Sequence, residues 1–61
     1  MSIRFGWKDN VVIILSRAVK AASLTPESLV IHFIDGSSWT YLIDEEMTLE
    51  IANEIINRLN E

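Results

Sequence analysis

The stretch LVIHFIDGSSWTYLI, residues 29–43, decides the fold class of this chain. Two runs rich in β-branched and aromatic residues, Leu29 to Ile34 and Ser38 to Ile43, are typical of β-strands. The dipeptide Asp35-Gly36 lies between them, and such a dipeptide is the strongest short-range signal for a β-hairpin. The sequence therefore predicts an antiparallel hairpin around Asp35-Gly36.

The length of the turn sets which residues share a face of this hairpin. A two-residue turn would pair His32 with Trp39 and Val30 with Tyr41, while a four-residue turn would pair His32 with Tyr41 and keep the same faces. One predicted face carries Leu29, Ile31, Phe33 and Leu42. The other carries Val30, His32, Ile34, Trp39, Tyr41 and Ile43. Because a sheet face open to water is normally polar, two apolar faces predict that the second is covered by another subunit or molecule.

Four further segments surround the hairpin. Residues 2–7 alternate between apolar and polar positions, which indicates a short strand. Residues 8–22 have an apolar stripe at helical spacing and predict a helix, and residues 23–27 read as a break. Residues 45–60 predict a second amphipathic helix. The chain is thus expected to form a single small α+β domain in the order β-α-β-β-α, with a two- or three-stranded antiparallel sheet packed by two helices.

One residue does not fit the first predicted helix. The apolar stripe consists of Val11, Leu15, Ala18 and Ala22, widened by Val12, Ile14 and Val19. Ile13 projects instead among polar neighbours, namely Ser16, Arg17 and Lys20. An isolated apolar side chain on a polar face predicts a contact with another subunit or partner.

Length and composition limit the chain to one small core. A protein of 61 residues and 7.0 kDa cannot hold a second catalytic lobe, and its folding free energy is expected to be marginal. It has no cysteine, so disulfides are excluded, whereas 49% of its residues are hydrophobic. We therefore predict a homo-oligomer, most simply a dimer. The predicted interface residues are Ile13, Val30, His32, Ile34, Trp39 and Tyr41.

Charge argues against several classes of partner. The formal net charge is −4, which disfavours direct binding to nucleic acid or to an anionic membrane surface. The longest apolar run, Val11 to Leu15, is far shorter than the roughly 20 residues of a membrane span. A cytoplasmic location is the corresponding expectation.

The acidic residues are concentrated in the second half of the chain. Residues 31–61 hold seven acidic groups and one basic group. Glu46, Glu50 and Glu54 recur at helical i, i+4 spacing, and Asp44 stands close by as a candidate helix cap beside Thr48. This acidic stripe predicts a surface for a partner protein with a basic groove; the alternative is a solvated helix face that maintains solubility.

Residues for catalysis or metal binding are sparse. His32 is the only histidine, and although Asp35, Ser37 and Ser38 follow it, no strand geometry places them together as a catalytic triad. Without cysteine, a zinc site would need carboxylates at a spacing that the sequence does not show. The two glycines are far apart and form no phosphate-binding loop. No catalytic residue, metal or cofactor is therefore predicted.

The aromatic residues give the remaining functional signal. Trp39 and Tyr41 on the second hairpin face are predicted to contact a partner, because such aromatics are enriched at interface hot spots; the alternative is a place in the core. The predicted function is that of a non-enzymatic interaction protein that binds and modulates or inhibits a larger protein. Small, acidic, cysteine-free chains are typical of phage and mobile-element accessory proteins that counter host systems. The alternative is a sequestering protein that holds a small anionic ligand or nucleotide between subunits through Trp39, Tyr41 and Arg4.

Overall fold

The computed structural model describes residues 2–60 and contains two antiparallel sheets and one helix. The elements, in chain order, are β1 (Ser2–Trp7), β2 (Asn10–Leu15), a 3-10 turn (Ser16–Ala18), β3 (Val19–Leu24), β4 (Ser28–Phe33), β5 (Ser38–Leu42) and α1 (Leu49–Leu59). Strands β1 and β2 form one sheet, and β3-β4-β5 form the other. The α+β class and the N-terminal strand are confirmed, whereas the order with two helices is not.

The helix predicted over residues 8–22 is wrong, because β2, the 3-10 turn and most of β3 occupy these residues. A run of five apolar residues, from Val11 to Leu15, fits a helical stripe and a strand equally well. Four of the five are β-branched, which favours an extended backbone. Pairing with β1 then decides the matter, since Ile3 pairs with Ile14 and both side chains are buried.

A tight two-residue turn at Lys8 and Asp9 connects β1 to β2. Both residues have positive φ angles, 48° and 63°, which match the primed turn that suits the twist of a hairpin. The Glu46 carboxylate accepts a hydrogen bond from the Lys8 backbone N–H at 2.6 Å. The Asn10 side-chain amide donates to the Lys8 carbonyl at 3.1 Å. These two bonds hold the chain in a left-handed conformation that lysine adopts only at a cost.

The hairpin around Asp35-Gly36 is confirmed, but its turn has a length that neither predicted register used. Phe33 N–H donates to the Ser37 carbonyl at 2.8 Å, which leaves a three-residue loop with Gly36 at a φ of 93°. The three-residue loop moves β5 by one position relative to the two-residue register and by three relative to the four-residue register. An odd shift exchanges the faces of the strand. Ile31 now pairs with Trp39, and His32 pairs with Ser38.

This exchange of faces overturns the prediction of two apolar faces. The inner face of the β3-β4-β5 sheet carries Leu29, Ile31, Phe33, Trp39 and Tyr41. On the outer face, Val30 pairs with Thr40, His32 with Ser38, and Ser28 with Leu42. The outer face is thus mixed in polarity and no longer requires a cover.

The C-terminal helix is confirmed, although it begins at Leu49 rather than near residue 45. Thr48 caps it, because its Oγ1 accepts the Ile51 N–H at 3.2 Å. Asp44 instead shapes the preceding turn and accepts the N–H groups of Glu46 and Met47, both at 2.8 Å.

The core lies between the inner faces of the two sheets and α1. Its buried hydrophobic residues are Ile3, Ile14, Leu29, Ile31, Tyr41, Met47, Ala52 and Ile55. Strand β4 contributes two alternate residues to this core, and β1, β2 and β5 contribute one each. Helix α1 contributes Ala52 and Ile55, and β3 packs against the core with partly buried side chains. So small a core leaves several large apolar side chains at the surface. Among the described residues, no helix has the length and apolar character needed to cross a membrane.

Candidate interaction surfaces

An apolar surface follows β2. Val11 and Ile13 are each 60% exposed and Leu15 is 46% exposed, while Val12 and Ile14 between them point inward. Alternation along a strand places the three exposed side chains on one face. Ile13 is exposed, but it lies on a strand beside two other apolar side chains and not alone on a polar helix face, so the reason given for its predicted contact was wrong and the contact itself stays a prediction. The helical stripe that assigned Val11 and Leu15 to the core was wrong, since the strand turns both outward.

A groove of about 300 Å³ runs beside β2. Its lining residues are Val12, Ile13, Ile14, Leu15, Ala18, Phe33, Trp39 and Tyr41. All of these side chains are apolar or aromatic, and none belongs to α1. The groove is therefore a gap between the β1-β2 sheet and the β3-β4-β5 sheet, closed on neither side by the helix.

Four aromatic rings meet at the inner end of this groove. Tyr41 is 5% exposed, and its ring lies 5.6 Å from Phe5 and 4.9 Å from Trp7, both in edge-on arrangements. Trp39 is 52% exposed, with its ring 6.2 Å from Tyr41. Burial raises the pKa of the Tyr41 hydroxyl. Tyr41, predicted as a contact residue, thus belongs to the core and reaches the surface only at the groove, whereas about half of the Trp39 surface is exposed to solvent.

The other predicted interface residues lie apart from this groove. Ile34 is 69% exposed in the β4-β5 loop. His32 is exposed and Val30 is half-buried on the outer face of the sheet. Of the six predicted interface residues, the structure brings together Ile13, Trp39 and Tyr41 and separates the other three from them.

The acidic residues do not form one continuous helical stripe. Glu46 precedes α1 and its carboxylate binds the β1-β2 turn, so only Glu50 and Glu54 share the helix surface. Glu54 accepts a hydrogen bond from Arg58 at 3.2 Å, and both side chains are more than half exposed. Two backbone N–H donors lower the pKa of Asp44, those of Met47 and Glu46, and this carboxylate therefore has a structural role. Of the four acidic residues predicted to bind a partner, only Glu50 and Glu54 lie on the exposed helix surface. Glu46 binds the β1-β2 turn, and Asp44 binds backbone N–H groups of its own turn.

The residues considered for catalysis and ligand binding are also placed by the fold. Ser37 donates to the Asp35 carboxylate through Oγ at 2.6 Å and through its backbone N–H at 2.9 Å, and these bonds lower the pKa of Asp35. They stabilise the loop rather than orient an imidazole. Within residues 2–60, no group of three or more histidine and carboxylate side chains is arranged to hold a metal ion. Arg4 lines a separate cavity of about 90 Å³ between β1 and α1, and Trp39 and Tyr41 do not share it.

One polar atom in the aromatic cluster has no partner. Among the described residues, the Trp7 indole nitrogen is buried without a hydrogen-bond acceptor. Lys8 Nζ lies 5.0 Å from the centre of the same ring. Trp7 is thus held by its edge-on contact with Tyr41 and by packing against the buried core.

The sequence reasoning missed the β2 edge because it assigned these residues to a helix. One signal could have found it. Asp9 is a residue that tolerates the left-handed conformation of a tight turn, and together with Asn10 it stands between an alternating run and a β-branched run. Comparison with protein-family models, with curated proteins and with solved structures found no match to this chain.

Proposed function

We propose that this chain is a non-enzymatic interaction protein that acts as a homo-oligomer and binds and modulates a larger protein. The observation that supports this most directly is the open apolar surface along β2, with three exposed side chains and a groove lined by Trp39. Exposed apolar surface of this kind in a protein of 7.0 kDa favours an interface. The groove along β2 is open and lined by apolar and aromatic side chains, which suits a protein surface better than a small polar substrate.

The larger partner would bind a different surface from the one used for self-association. Glu50 and Glu54 are exposed on α1, which packs against β1 and β3 and does not line the β2 groove. A net charge of −4 steers the chain toward a basic surface and limits binding to other acidic proteins. The two surfaces can therefore be occupied at the same time.

The kind of larger protein is inferred from the size and composition of this chain. Small size, acidity and the lack of cysteine are typical of accessory proteins of phages and mobile elements, some of which inhibit host defence systems. An inhibitor of this kind would occupy a basic site and exclude its usual anionic ligand. We place the action in the cytoplasm, where a cysteine-free protein needs no oxidising environment.

Affinity isolation of a stoichiometric partner, followed by binding kinetics with purified components, tests this function. The variant Glu50→Gln/Glu54→Gln removes two negative charges from α1. Glu27→Lys changes the net charge by the same amount at the β3-β4 turn and is the matched control. We expect the α1 variant to slow association most at low salt, because screening acts over about 10 Å at 0.1 M, while the control binds like the wild type.

Two results would contradict the proposal. One is that the wild-type chain retains no protein at fixed stoichiometry. The other is that the α1 variant and the Glu27→Lys control slow association equally. In that case the effect would come from the net charge of the chain and not from a binding surface on α1.

A further inference from the structure

The backbone of β2 is unpaired along one edge. Strand β2 pairs only with β1, through a register in which Trp7 lies opposite Asn10 across the two-residue turn. In a hairpin with such a turn, the closing pair is hydrogen-bonded and the bonded pairs alternate along the strands. The N–H and C=O groups of Val12 and Ile14 therefore face β1.

The intervening residues face the other way. Val11, Ile13 and Leu15 direct their N–H and C=O groups away from β1. Of these groups, the Leu15 C=O already accepts the first bond of the 3-10 turn Ser16–Ala18. Within residues 2–60, the groups of Val11 and Ile13 and the N–H of Leu15 have no backbone partner outside the strand pairing. The same three residues are the exposed apolar ones of β2. An edge with free backbone groups and apolar side chains is a template for a further strand.

The groove has the shape that such a strand needs. Four consecutive residues of β2, from Val12 to Leu15, line it. Consecutive side chains of a strand point to opposite faces, so what these four residues share is the backbone edge. The opposite wall is formed by Phe33, Trp39 and Tyr41. An extended segment lying in this groove would pair with β2 on one side and contact aromatic rings on the other.

The chain itself contains a segment that fits. Residues 11–15 are apolar at every position, so both faces of this segment suit the groove and the surface beside it. Antiparallel pairing of two β2 strands about a two-fold axis at Ile13 places Val11 opposite the partner's Leu15. No charged residue lies between Asn10 and Ser16. The side chains of the two paired segments therefore do not repel each other electrostatically, although each chain has a net charge of −4.

We propose that β2 of a second copy occupies this groove and forms a continuous sheet in the order β1-β2-β2-β1, with Ile13 at the two-fold axis. This inference rests on the proposed homo-oligomer and names the surface that forms it. The four exposed apolar side chains around the edge, Val11, Ile13, Leu15 and Trp39, offer roughly 400 Å² per copy. Edge-to-edge pairing covers the backbone edge and the flanks of these side chains, so the dimer buries at most about 1,000 Å² in total. This area lies at the lower limit of specific interfaces, so the dimer is reversible and its population depends on concentration.

Charge exchange at Ile13 tests the two-fold axis. In the proposed dimer, position 13 faces itself, so Ile13→Lys and Ile13→Glu each place two like charges in contact. We expect each variant alone to weaken the dimer at least about tenfold, and an equimolar mixture to recover to within about threefold of the wild type. Sedimentation equilibrium across a concentration series gives the dissociation constants. Ile34→Lys and Ile34→Glu are the matched controls, because Ile34 is equally exposed but lies outside the groove.

A second pair of variants tests the register and remains informative if a single charge at Ile13 disturbs folding. Val11→Lys/Leu15→Glu places opposite charges across the axis, whereas Val11→Lys/Leu15→Lys places like charges there. Only the first of these is expected to dimerise. Circular dichroism of each variant at low concentration verifies that the monomer is folded.

The outcomes separate this inference from the function on which it rests. A wild-type dimer that the Ile34 variants dissociate and the Ile13 variants do not would overturn the β2 interface and leave the homo-oligomer standing. A wild-type chain that remains monomeric at millimolar concentration would overturn both the β2 interface and the homo-oligomer. Binding to the larger protein is measured separately through α1 and can stand or fail by itself.

Discussion

The β1-β2 turn provides a sharp test of the fold, because it replaces what the sequence pattern predicted as a helix. The perturbation is the double substitution Lys8→Asn/Asp9→Gly, which installs the dipeptide preferred in primed two-residue turns. Both positions have positive φ angles, 48° and 63°. The Glu46 carboxylate contacts the backbone N–H of Lys8, so this hydrogen bond is available to asparagine as well.

The expected gain follows from three contributions. Relief of the left-handed conformation at two non-glycine residues is worth about 2 kcal/mol. Loss of the contact between Lys8 Nζ and the Trp7 ring, at 5.0 Å, costs about 0.5 kcal/mol. The greater freedom of glycine in the unfolded chain costs about another 0.5 kcal/mol. The free energy of unfolding should therefore rise by about 1 kcal/mol, which raises Tm by about 4–8 °C in a domain of this size.

Thermal unfolding followed by circular dichroism measures this change. The comparison variant is Lys8→Val, which places a β-branched residue at a φ of 48° and should lower Tm. In a helix beginning near residue 8, the asparagine-glycine pair would instead destabilise the structure. A lower Tm for Lys8→Asn/Asp9→Gly than for the wild type would refute the primed turn.

Three further predictions concern the core and the titrating groups. Ile31→Ala, at a fully buried position, should lower the free energy of unfolding by about 2–5 kcal/mol in urea titrations. Ile34→Ala, at a 69% exposed position, should change it by less than about 0.5 kcal/mol. Equal losses in the two variants would contradict the assigned core. Because burial raises the pKa of Tyr41, the folded state retains this proton more strongly than the unfolded chain, so the associated stability is present below pH 10 and is lost as the pH rises above it. Tyr41→Phe should therefore show a smaller fall in Tm between pH 9 and pH 11, and an unchanged fall would place the sensitivity elsewhere. Because backbone donors lower the pKa of Asp44 in the fold, its contribution is present above the unfolded value near 3.8 and is lost as the pH falls through the folded value. Asp44→Asn should flatten the dependence of Tm on pH below about 4, and a wild-type slope in this variant would contradict the role of the turn.

Local sequence signals were sufficient to predict an element wherever a single hydrophobic period or turn motif dominated its segment. The alternation of residues 2–7, the Asp35-Gly36 hairpin and the C-terminal amphipathic helix with its Thr48 cap all follow from period and turn chemistry. These signals also established the α+β class. They depend on neighbours in the chain, so no distant contact was needed to recognise them.

Tertiary structure decided the rest, for two physical reasons. Residues 11–15 are apolar at every position, and such a run has no period that separates helix from strand; only pairing with β1, which buries Ile3 against Ile14, selects the strand. The loop at Asp35-Gly36 could have two, three or four residues, and the observed three exchange the faces of β5 and move Trp39 and Tyr41 inward. Composition thus determined that a small core would leave apolar surface exposed, whereas strand pairing determined that this surface lies along β2.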